Sequence, residues 1–156
     1  MKRSLLPALF VILIAAVTAR TQTKTDAVAL EQGKPIERQI SDRQMHSYTL
    51  TVPAGGYAHV DVDQIGITVA LTVFVDDKQI RVIDGTAAGE HERFSIIADR
   101  ATTYRVEVSS PNSGTWNGKY VIVLDAARQA TVADKAHVEG EKLFEGAMQD
   151  LYKQTK

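Results

Sequence analysis

From about Pro35 to Leu124 the sequence follows a period of two, its apolar residues alternating with polar ones in short runs separated by turn-forming clusters. Successive side chains of an extended strand point to opposite faces, so this period marks half-buried strands rather than helices. Tyr48, Leu50 and Val52 alternate with Ser47, Thr49 and Thr51, and Pro53-Ala54-Gly55-Gly56 ends the run with turn chemistry. Ala58, Val60 and Val62 then alternate with His59, Asp61 and Asp63, until Gly66 breaks the pattern. Val69, Leu71, Val73 and Val75 form the next alternation, closed by Asp76-Asp77-Lys78; Ile80, Val82 and Ile83 lead to a turn at Asp84-Gly85. Thr86 to Glu90 is polar and predicts an exposed loop, which takes in the charged triplet Glu90-His91-Glu92. Phe94, Ile96 and Ala98 alternate again, then Tyr104, Val106 and Val108. Ser109-Ser110-Pro111-Asn112-Ser113-Gly114 is the clearest loop, and Tyr120, Ile122 and Leu124 make the last strand. About seven or eight strands at this spacing, with no helices between them, predict an all-β fold: two antiparallel sheets in a sandwich, jelly-roll-like in connection. The short connections exclude a parallel sheet with helical crossovers.

At Thr131 the period becomes helical. Thr131 and Asp134 have the spacing of a capping box, with Asp in the place of Glu. Ala136, Leu143, Phe144, Ala147 and Leu151 recur on one side of the helix that follows. A lone amphipathic helix must bury such a stripe on something. The stripe is therefore expected to fold back on the sandwich, to meet another chain, or to pack on a helical segment of a longer protein.

The other end of the chain addresses export. Met1-Lys2-Arg3 is basic, Leu5 to Ala19 is uncharged and apolar, and Val17-Thr18-Ala19 places small or modest residues at a cleavage point after Ala19. These are the three parts of a secretory signal. The apolar run, about 15 residues, is shorter than the roughly 20 that span a bilayer, which favours a cleaved signal over a retained anchor. The sequence thus divides into a signal (1–19), a polar linker (20–28), a sandwich (29–127) and a helical segment (128–156). There is no cysteine, so neither disulfides nor cysteine metal sites contribute, and the domain must be stabilised by its core alone. Removing Lys2 and Arg3 from the 18 basic residues leaves 16 against 19 acidic ones, a net charge of −3. No basic cluster offers nucleic acid a footprint.

Several strand motifs resemble those of the bacterial pre-peptidase C-terminal domain. His46 to Gly56 is similar to that family's tyrosine-containing strand ending in an Ala-Gly turn. Leu71-Thr72-Val73-Phe74-Val75-Asp76-Asp77-Lys78 resembles its central hairpin, with Asp77 where glycine is usual. Ala101 to Val108 resembles its Gly-Thr-Tyr strand, with Thr102 in place of the glycine, and Gly118 to Val123 its closing strand. The resemblance spans roughly residues 29–127. It extends to exported proteins in which such a sandwich precedes tetratricopeptide repeats and a caspase-like domain; the helix from Ala130 to Leu151 stands where those repeats would begin. The resemblance implies a non-catalytic exported module that binds a protein or a cell-envelope glycan, or that assembles through its helix.

Candidate sites are few. Trp116, in the 111–118 loop, with Tyr57 and Tyr120, supplies the aromatics with which a β-sandwich could stack on a sugar or a protein. Asp76, Asp77 and Asp84 offer hard oxygen ligands for calcium if their loops share one end of the sandwich, though aspartate also favours turns for local reasons. His59, Asp61 and Asp63 share a strand face, but i, i+2 and i+4 extend over about 13 Å, too far for one ion without further ligands. Glu90-His91-Glu92 lacks the spacing of a metalloprotease helix, and His46 and His137 have no such partners either. No nucleophile elbow, phosphate-binding loop or dinucleotide fingerprint is present. The expected protein is a binding or assembly module rather than an enzyme.

Overall fold

A computed structural model describes residues 27–41, 43–110 and 117–154. The signal segment, nearly all of the linker and Trp116 lie outside the described residues. Among the described residues nine strands and one helix follow in order: β1 (Val28–Ala29), β2 (Ile36–Ser41), β3 (Met45–Val52), β4 (Gly56–Ile65), β5 (Ala70–Val75), β6 (Lys78–Ile83), β7 (His91–Ile97), β8 (Thr102–Ser109), β9 (Asn117–Gln129) and α1 (Val132–Gln154). They form a five-stranded sheet of order β1-β3-β8-β5-β6 and a four-stranded sheet of order β2-β9-β4-β7. All pairings between these strands are antiparallel except that of the short β1 with β3. Among the described residues no helix is long and apolar enough to cross a membrane.

The alternation places its apolar set between the sheets. Val60, Val62, Phe94 and Ile122 of one sheet and Leu71, Val73, Val106 and Val108 of the other are fully buried. Where β4 meets β9 the register shifts: His59 faces Ala126 while Val60 faces Leu124. Asp125 is the extra residue, and this bulge keeps both Leu124 and Ala127 on the inner side of a strand that runs to Gln129, beyond the Leu124 end expected. Gly118 is required by close packing: a Cβ there would lie 2.5 Å from Cβ of Ile67 and 2.9 Å from the Ile65 carbonyl.

Of the triplet Glu90-His91-Glu92 only Glu90 stays in the expected loop, because β7 begins at His91. His91 points outward and Glu92 inward, where its Oε1 accepts hydrogen bonds from the Gly85 and Thr86 amides at 2.8 Å each. Fully buried Gln64 holds the same connection, accepting from the Val69 amide and donating to Thr86 Oγ1. Two buried polar side chains thus replace the backbone partners that the 84–90 loop lacks.

A candidate functional site on the C-terminal helix

β6 and β7 are the last strands of their sheets on the same side of the sandwich, and α1 lies against β7 there. The helix is launched by the capping box: the Asp134 amide donates to Thr131 Oγ1 at 3.2 Å, and Asp134 Oδ2 accepts from the Thr131 amide at 2.7 Å. Arg128 also reaches the Asp134 carboxylate, at 2.9 Å from Nη2 to Oδ1. The guanidinium and the Thr131 bonds hold that carboxyl far below the usual carboxylate range.

The face that α1 turns to the sandwich is the unexpected one. Among the described residues Asp134 and Val138 are buried on it, and Glu141 and Glu145 continue the same face at i+7 and i+11. Glu141 Oε2 accepts from the Ser95 amide at 3.0 Å, and Oε1 from Ser95 Oγ at 3.0 Å. Arg81 of β6 stands beside it with a side chain only 11 % exposed. Its Nε bonds both Glu145 oxygens at 2.9 Å, Nη2 bonds Glu141 at 2.9 Å, and Nη1 donates to the Ser95 carbonyl at 2.9 Å. Ser95 faces His59 across the β4–β7 ladder, and its amide and carbonyl are satisfied from the helix side rather than by a further strand. A helical carboxylate and a guanidinium thereby close an open sheet edge. Burial raises the Glu141 pKa, but the bonds from Arg81 and Ser95 outweigh it and hold the carboxyl below its usual value.

The stripe predicted to be buried faces solvent. Leu143 is 70 % exposed, Phe144 68 % and Leu151 56 %, and Ala136 and Ala147 are exposed beside them. At 100° per residue this stripe lies about half a turn from the docked face. Of the three outcomes open to it, folding back on its own sandwich is excluded.

The remaining candidate residues are dispersed. Tyr120 is fully buried, its hydroxyl 2.7 Å from His46 Nδ1 and 2.6 Å from the Tyr48 hydroxyl, so its ring is core rather than a stacking platform. Tyr57 is buried as well, covered by Arg128, whose guanidinium carbon lies 4.9 Å from the ring centre. Asp76 and Asp77 carry positive φ, 49° and 60°, and form the two central positions of the β5–β6 hairpin. Asp84 follows the far end of β6, and about 3.3 Å per residue puts roughly 20 Å between it and that hairpin, so these aspartates do not share one end of the sandwich. Among the described residues no group of three His, Asp or Glu is placed to hold a metal ion. Asp61 goes instead to His91 and to Arg93 Nε at 2.8 Å.

Ser95 Oγ lies 3.0 Å from His59 Nδ1 and within reach of the Tyr57 hydroxyl at 3.2 Å, while His137 Nε2 lies 2.9 Å from Glu141 Oε1. Serine, histidine and carboxylate meet here without the order of a hydrolytic triad. The acid bonds the serine rather than orienting His59, and Ser95 is fully buried. Its geometry is that of a docking latch. An open groove lined by Gln39, Ser41, Gln44, Ile65, Asn117 and Lys119 at the β2–β9 end brings no comparable grouping together. Reading the sequence alone missed Arg81, Ser95, Glu141 and Glu145. The available signal was the i, i+4, i+7, i+11 recurrence of Asp134, Val138, Glu141 and Glu145, a second stripe of the same helix.

No family model matches the sequence, and no curated protein matches it. Among solved structures, a periplasmic inhibitor of g-type lysozyme, PliG, from Aeromonas hydrophila is 13 % identical, with 62 % of this chain and 94 % of that one covered and a TM-score of 0.46. The PliG of Salmonella Typhimurium is 14 % identical, covering 62 % and 94 %, with a TM-score of 0.45. The pre-peptidase C-terminal domain of a Bacillus anthracis collagenase is 18 % identical over 63 % of this chain and 93 % of that one, with a TM-score of 0.47. The last belongs to the family whose strand motifs the sequence resembles, and the likeness is one of fold.

Proposed function

We propose that this protein is a non-catalytic exported module that binds another protein through the outward face of α1, with the sandwich as its rigid base. The observation that carries this reading is the orientation of the helix, docked by its charged side so that Leu143 and Phe144 stand in solvent. Burying a leucine or a phenylalanine contributes about 1.5–3 kcal/mol each, so covering this pair offers a partner a driving force of several kcal/mol. The basic and apolar segments before Ala19 support export. A glycan reading retains only Trp116 of its three aromatics, since Tyr57 and Tyr120 are buried.

The test is site-specific photo-crosslinking in cells that export the full chain, with the photoreactive residue at Phe144 and, as reference, at Thr51 on the outer side of β3. Adducts with protein are expected at 144, absent at 51, and lost when Leu143→Asp is added. An adduct of twice the chain's mass identifies a second copy; any other mass identifies a different protein. Equal or absent adducts at the two positions overturn the proposal.

A further inference from the structure

Among the described residues Val138 is the one buried apolar side chain of α1. Two polar anchors tie the helix to the sandwich. The first is the capping turn, with Asp134 on Arg128 and Thr131. The second is Glu141 and Glu145 on Arg81 and Ser95. Gly140 lies between the anchors and Gly146 just past the second, and a glycine inside a helix costs about 1 kcal/mol against alanine. A helix held in this way depends on the charge of two carboxylates.

We infer that the second anchor is an acid-operated latch: protonating Glu141 frees α1 beyond Gly140 from the β7 edge, while the capping turn keeps its hold and acts as the hinge. This stands independently of what the outward face binds. The groups that face Glu141 come from three elements. From β6 it faces the Arg81 cation, which itself lies over the Phe94 ring at 6.0 Å. From β7 it faces the Ser95 amide and hydroxyl, with His59 and Tyr57 of β4 behind that hydroxyl. On its own helix it faces His137 and the second carboxylate, Glu145. A protonated carboxyl loses the charge-assisted bond to Arg81 and leaves that largely buried cation with less compensation. A protonated His137 adds attraction to Glu141, so the histidine opposes release rather than causing it. Because the Glu141 pKa is depressed on folding, its contribution is complete above the ordinary value of 4.5 and disappears as pH falls through the lowered one. Asp134 is depressed much further, so the hinge outlasts the latch. Opening would bare the Ser95 amide and carbonyl at the β7 edge.

The chain has no cysteine, so spin labels can be placed by pairs of substitutions in the full-length protein. Ala147→Cys with Lys119→Cys reports on the helix, and Thr51→Cys with Lys119→Cys reports on the sandwich. At pH 7 the helix pair should give one narrow distance. As pH is lowered from 4.5, that distance should give way to a long, broad component while the sandwich pair is unchanged. Glu141→Gln should show the open component already at pH 7, and if this variant fails to fold, its sandwich pair reveals that and the titration of the unaltered latch decides alone. Opening of the helix pair only together with loss of the sandwich distance as pH is lowered, or a folded and closed Glu141→Gln protein at pH 7, overturns the latch.

Discussion

Glu92 is a carboxylate on the inner side of β7, 2 % exposed, and the amides of Gly85 and Thr86 both converge on one of its oxygens. A side chain of this kind sits inside a sandwich only because the connection after β6 turns its donors inward instead of to water. Removing it leaves two buried amides without acceptors, each worth about 1–3 kcal/mol when unsatisfied. Glu92→Ala is therefore expected to lower the unfolding free energy by about 2–5 kcal/mol in urea titration, with the native strand signal retained at zero denaturant. A loss below about 0.5 kcal/mol, the ordinary range for surface substitutions, would show that water replaces the carboxylate at no cost. The same residue shows why the sequence was misread here. Alternation predicts which side an apolar residue takes, but His91, Glu92 and Arg93 are all polar, so the inward position carries no apolar label. What places Glu92 inside is a pair of backbone donors six and seven residues earlier, which no local pattern announces.

The helix carries the largest departure from expectation, and its cause is long-range. Every strand with apolar alternation was legible, as was the Thr131–Asp134 cap, because those signals are local. The apolar stripe of α1 was legible too, but the rule that such a stripe faces the core assumes that the core has room for it. Here the inner faces of the two sheets already fill one another, and what the β7 edge lacks is hydrogen-bond partners. Arg81, sixty positions before Glu141, turns the polar stripe into the docking face. The two faces should accordingly respond in opposite ways. Leu143→Asp, on the exposed side, is expected to change the stability of the isolated chain by less than about 0.5 kcal/mol. Arg81→Ala leaves Glu141 and Glu145 facing each other without their cation, and breaking a buried ionic group in this way costs about 3–5 kcal/mol. Thermal unfolding of the two variants side by side reads the contrast, and a larger loss for Leu143→Asp would mean that the stripe, not the carboxylates, holds the helix.

At the scale of the whole molecule, the two open sides of the sandwich are closed by different chemistry, and acid should undo them at different pH. On the α1 side the closure rests on carboxylates. On the opposite side, between β2 and β3, the hydroxyls of Tyr48 and Tyr120 meet His46, with Arg38 nearby. Burial first, and then the Arg38 charge, lowers the His46 pKa below 6.5. A neutral imidazole can accept the Tyr120 proton at Nδ1, whereas the cation would force the hydroxyl pair to reverse. The unfolded chain therefore binds a proton that the folded one refuses, and stability falls as pH drops from 6.5 toward the lowered value. Glu141 has the same sign in a lower window, because folding depresses an acid there: its contribution is complete above 4.5 and declines below. Asp61, whose burial is outweighed by His91 and Arg93, and Asp134, held by Arg128, add to the loss in still stronger acid. The urea midpoint should thus be level above pH 7, step down as pH falls below about 6.5, and step down again below about 4.5. His46→Gln should abolish the upper step and leave the lower one, and Glu141→Gln should do the reverse. A single descent below pH 4.5, identical in His46→Gln and the parent chain, would mean that the tyrosine cluster accommodates a protonated imidazole and that only the helix side of the fold is sensitive to acid.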